Sequence, residues 1–172
     1  LARCRIAREK MEVGDYDAGC SELKQWRKFG DWPKYQDISQ AAAGELLLTC
    51  GVISAAVARA KQVTAGQKWA EMLLSGPHAL FTQAGAHNKA TEARIELGCC
   101  FYHQGLFEVA QTTLQSCLKQ LSEEESELKV VALVRLAIVE RHSSHLHEAL
   151  SLLDSAALLQ NLVTPWTRGR FH

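Results

Sequence analysis

Apolar residues recur along this chain at three- and four-residue spacings, broken by short turns of Gly, Ser or Pro. That is the period of an amphipathic helix, whose positions i, i+3, i+4 and i+7 share one face. No segment shows convincing period-2 alternation, so strands are not expected. The pattern predicts helical pieces near 2–13, 16–28, 38–57, 60–84, 88–104, 107–121, 126–142 and 146–160, with a further piece at 163–171. The fold class expected is all-α.

The pieces are not independent of one another. The clearest unit runs Arg94-x2-Leu97-Gly98-x2-Phe101, then Gly105-x-Phe107-x2-Ala110-x3-Leu114-x2-Cys117. Gly98 has no side chain and lets a second helix approach closely. Gly105 suits the left-handed position just past a helix end. Ala110, Leu114 and Cys117 form the inner stripe of the second helix. A second copy reads Leu133-x2-Leu136-Ala137-x2-Glu140, a turn at Ser143-Ser144, then Leu146-x2-Ala149-x3-Leu153-x2-Ala156. Ser144 lies 39 residues after Gly105 (144 − 105), and the charged link 122–126 separates the copies. A third opens the chain, with Ile6-Ala7, the turn Gly14-Asp15-Tyr16-Asp17-Ala18-Gly19, then Leu23 and Trp26. Phe29 to Tyr35, with Gly30 and Pro33, then breaks the helix.

The segment 38–85 is less regular. Its hairpin turn could fall at Gly51, with Gly44 as the packing glycine, or near Ala58, with Gly51 in that role. The later turn gives two helices of similar length and is preferred. Gly76-Pro77 should kink the second of them.

These motifs resemble the tetratricopeptide repeat (TPR) family, whose pattern is W-x2-L-G-x2-Y…A-x3-F over about 34 residues. Arg94 replaces the Trp. The longer period is similar to extended arrays in bacterial regulatory proteins. The resemblance implies one domain over 1–172, a right-handed α-solenoid of antiparallel helix hairpins. Its repeats would lie near 1–28, 38–84, 88–121 and 126–160, with a partial helix at 163–172. It also implies a concave groove lined by the first helix of each repeat. The positions carried over are Arg8, Met11, Glu12, Glu92, Ile95, Cys99, Tyr102, His103, Val134, Ile138, Arg141 and His142, with Cys4 and Val131 beside them. The carboxylate-clamp form of that groove is not expected, because Cys4 and Arg8 stand where its Lys and Asn would be.

Composition narrows the function. Hydrophobic residues make up 47% and charged residues 22%, enough for a large core. Net charge is zero, without the basic excess of a nucleic-acid binder. No apolar run is read as approaching the roughly 18–20 residues that span a bilayer. The six cysteines contain no CxxC and sit among apolar neighbours, which points to reduced thiols and a cytoplasmic protein. The chain does not begin with Met, and a segment of a longer protein is expected.

Candidate chemistry is sparse. His142, His145 and His147 have ligand-like spacing, but one ends a helix and two open the next. Cys99 and His103 lie four apart on one helix, without an evident orienting group or oxyanion hole. No phosphate-binding glycine loop and no HExxH occurs. Trp32 or Trp166 could be an exposed anchor, and Lys24, Arg27 and Lys28 a basic cluster. The function expected is a protein- or peptide-binding scaffold inside a larger regulatory or signalling protein, not an enzyme, with no cofactor or metal. Self-association through exposed solenoid ends is a further expectation. The alternatives are an effector-sensing segment of a transcription regulator or signalling ATPase, and a cysteine- or metal-dependent enzyme.

Overall fold

A computed structural model gives the fold and describes residues 1–26, 31–63, 65–122 and 126–159. The described residues form nine α-helices and no strand: α1 (Ala2–Glu12), α2 (Tyr16–Glu22), α3 (Gln40–Ala60), α4 (Gly66–Leu74), α5 (Pro77–Gln83), α6 (His87–His103), α7 (Phe107–Gln120), α8 (Ser126–His142) and α9 (Leu146–Leu159). The fold is all-α, as the hydrophobic period requires. The piece expected at 163–171, with Trp166, lies outside the described residues, as do Gly30, Arg27 and Lys28 of the expected loop and basic cluster.

One turn device recurs. Gly14, Gln62, Gly85, Gly105 and Ser144 all have positive φ, from 51° to 81°. In each case the next residue's N–H donates to a carbonyl five residues back. The pairs are Asp15 to Lys10, Val63 to Ala58, Ala86 to Phe81, Leu106 to Phe101 and His145 to Glu140, at 2.8–3.0 Å. The left-handed residue's own N–H donates to the carbonyl three back. Both bonds satisfy carbonyls that a helix end would otherwise orphan. Gly105 takes this conformation without steric cost; Ser144 adopts it with a Cβ present. Two helices, α2 and α3, start on a side-chain cap. Ala18 N–H donates to Asp15 Oδ1 at 3.0 Å, and Ala42 N–H to Ser39 Oγ at 3.4 Å.

Contacts cluster in two compact units, Leu1–Glu96 and Leu97–His172, with the boundary inside α6. The sequence reading took the chain as one domain.

In the first unit α3 is the centre. Fourteen of its 21 residues are buried, so it is apolar nearly all round. It packs on α1, α2, α4 and α5. Cys4, Ala7, Leu23, Leu46, Leu47, Cys50, Ile53, Val57 and Leu73 form one core, with Met11, Trp26, Tyr35 and Trp69 against it. The two competing glycines both serve as packing sites. A methyl added at Gly51 would meet Leu74 Cγ at 2.6 Å, and one at Gly44 would meet Phe81 Cε1 at 2.9 Å. The hairpin break therefore falls late, between the end of α3 at Ala60 and the start of α4 at Gly66, and α4 and α5 are the two arms of a helix broken at Gly76-Pro77.

Three expectations need correction. α2 stops at Glu22, not 28, because Leu23, Lys24 and Trp26 make three-residue turn bonds instead of continuing the helix. α4 starts at Gly66, not 60. One helix, Gln40–Ala60, is long and apolar enough to cross a membrane by length and composition alone, with mean hydropathy 1.8. The reading of short apolar runs missed it because Glu45 and Arg59 interrupt the sequence. Of its most apolar window, 78% is buried inside the protein, as in a core helix.

In the second unit α7 packs on α8 and α8 on α9. Gly98 lies against Leu114, where an added methyl would sit 3.0 Å from Cγ. Ala110, Ala137 and Ala149 are 0%, 2% and 5% exposed, so each small side chain faces a neighbouring helix.

Candidate functional site

Charge in the first unit is concentrated at one place. Arg8 of α1 pairs through Nη1 with Glu92 Oε1 of α6, and its Nε donates to Thr49 Oγ1 of α3 at 3.3 Å. Arg8 Nη2 lies 3.9 Å from Glu45 Oε2. Lys89 Nζ bridges Glu45 Oε1 at 2.7 Å and Glu92 Oε2 at 2.9 Å. Two cations and two carboxylates thus share a patch where Arg8, Glu45 and Glu92 side chains are only 17–21% exposed. Burial alone would push the Glu92 carboxyl up. Attraction to Arg8 and then Lys89, with their hydrogen bonds, outweighs it and holds Glu92 below its ordinary range. Burial likewise opposes charge on Arg8 and Lys89. For Arg8 the field of Glu92, Glu45 and Glu96 prevails, for Lys89 that of Glu92 and Glu45, and both are held above their ordinary values. Arg8 and Glu92 were expected to reach for a ligand. They are committed to each other, and a ligand touching either competes with that pair.

The second unit brings a different set together. Tyr102 lies edge-on to His103 and to His142, with ring centroids 4.9 and 5.2 Å away, and 5.8 Å from Phe107. Phe107 stacks on His142 at 5.9 Å. Arg141 Nη2 is 3.3 Å from His142 Nε2. Arg141, His142 and His103 are exposed, Tyr102 and Phe107 half-buried. Ile138, 36% exposed, lies one turn before His142 on α8, beside half-buried Val134. The C-terminal ends of α6 and α8 therefore carry an open aromatic surface edged by the Arg141 guanidinium. Cations are favourable there, since the helix C-terminus is the negative end of the dipole.

Next to Arg141 along α8, Glu140 is 3% exposed. Its carboxylate accepts from Gln111 Nε2 at 2.7 Å and meets His145 Nδ1 at 2.8 Å. It ties α7, α8 and the turn before α9. The remaining expected groove positions scatter. Ile95 is 1% exposed and cannot touch a ligand on the surface, because it is taken up by the interior. Met11 packs against the first unit's core, Glu12 is exposed, and Cys99 is half-buried. Trp32 is 43% exposed and meets Trp69 edge-on at 5.9 Å.

Sequence reasoning missed Glu45, Lys89, Phe107 and Glu140 as parts of these groups. Two carried a signal. Glu45 is the lone carboxylate within the apolar run from Ala41 to Leu48, and Glu140 occupies the aromatic position of the repeat pattern. Each is a charge at a core position, which calls for a partner.

All six cysteines are free thiols, and burial raises Cys4 above the ordinary thiol value. Among the described residues no three His, Cys, Asp or Glu side chains converge as a metal-ligand set. His142, His145 and His147 separate: one joins the aromatic surface, one pairs with Glu140, and one borders an open dent of about 430 Å³ with Gln115, Leu136 and Ser151. No family model matches the chain, and none of the curated proteins matches it in sequence.

Proposed function

We propose that the chain is a helical-repeat scaffold of the TPR kind that holds an extended segment of another protein. In this proposal successive hairpins stack as a right-handed ribbon, and the segment binds along first-helix residues of the second unit: Tyr102, Ile138, Arg141 and His142. Two things support the repeat reading: the recurring left-handed turn, and the small buried residues at Gly98, Ala110, Ala137 and Ala149. The binding reading is carried by one observation. Tyr102, Phe107, His142 and Arg141 form a ring cluster with a cationic edge that stays accessible. Tyr and Arg are the residue types that supply most binding energy when a partner desolvates them. The partner segment should carry an aromatic or apolar side chain beside a carboxylate. Binding, not catalysis, is the activity proposed, in a reducing compartment such as the cytoplasm, to which the six free thiols are suited.

The test is selection of a random peptide library on the full chain. Enriched peptides should combine acidic and aromatic residues. They should bind the Tyr102→Ala or Arg141→Ala variants at least tenfold more weakly while helicity is unchanged. Peptides that bind both variants as well as the parent would remove the surface from consideration.

A further inference from the structure

We draw no further inference here: the strongest candidate, the exposed leucine face that Leu146, Leu150 and Leu153 form along α9, carries nothing, because nothing in the structure shows what covers it.

Discussion

Gly51→Ala sets two known effects against each other. Gly51 lies inside α3, where replacing Gly by Ala favours the helix by about 1 kcal/mol. Its Cβ would fall 2.6 Å from Leu74 Cγ and 2.7 Å from Cδ2, about 1 Å inside ordinary contact. Leu74 is 2% exposed and Leu73 0%, so the side chain has no solvent to retreat into. α4 must therefore move off α3, and overpacking of this kind costs about 1–3 kcal/mol. The net expectation is a loss of up to about 2 kcal/mol, which lowers the urea midpoint by up to about 1 M. Urea titration followed by far-UV circular dichroism measures it. The decisive comparison repeats the substitution in a Leu74→Ala background. Leu74→Ala alone should cost about 2–5 kcal/mol. With the clashing atoms gone, Gly51→Ala should then stabilise by up to about 1 kcal/mol, a coupling that only contacting residues show. An equal cost in both backgrounds, or a stabilised single variant, would falsify the close approach of α3 and α4.

Other outcomes follow from the same geometry. Ser144 has φ 66° where three of the other turns use Gly, so Ser144→Gly should stabilise the second unit by about 0.5–1 kcal/mol in the same titration. Glu92 is held below its ordinary carboxyl range, so its contribution is complete above the unfolded-state value and is lost as pH falls through the lower folded-state value. Glu92→Gln should flatten the acid limb of stability against pH and leave the shape near neutrality unchanged; an unaltered acid limb would exclude the Arg8 pairing. Gln111→Ala removes a donor from a carboxylate that is 3% exposed and should cost about 1–3 kcal/mol, against a few tenths for Gln115→Ala, which is exposed.

Much of the fold could be read from the sequence because local chemistry dictates it. Gly14, Gly85 and Gly105 announce helix ends through the left-handed conformation, and Gly76-Pro77 announces the break between α4 and α5. The spacing around Gly98 and Ala110 identifies which faces nest. Long-range pairing could not be read in this way. Arg8 and Glu92 stand 84 residues apart, and nothing local says that one will neutralise the other. The depth of the expected groove positions could not be read for a related reason. Helical spacing gives the direction of a side chain but not the depth of burial, so Ile95 of α6 falls in the interior while Ile138 of α8 reaches the surface. Helix α2 ends early because Leu23 turns into the core, where it is 2% exposed, and a purely periodic reading carries the helix through it.

The most direct measurement is hydrogen exchange of the full chain with and without a saturating, library-selected peptide. Binding should slow exchange at the C-terminal ends of α6 and α8 and in the turn at 104–106, around Tyr102 and His142, and leave α9 and the Arg8–Glu92 patch unchanged. Protection that falls instead on α1 and α3, or no peptide captured at all, would contradict the assignment of this chain as a holder of extended polypeptide.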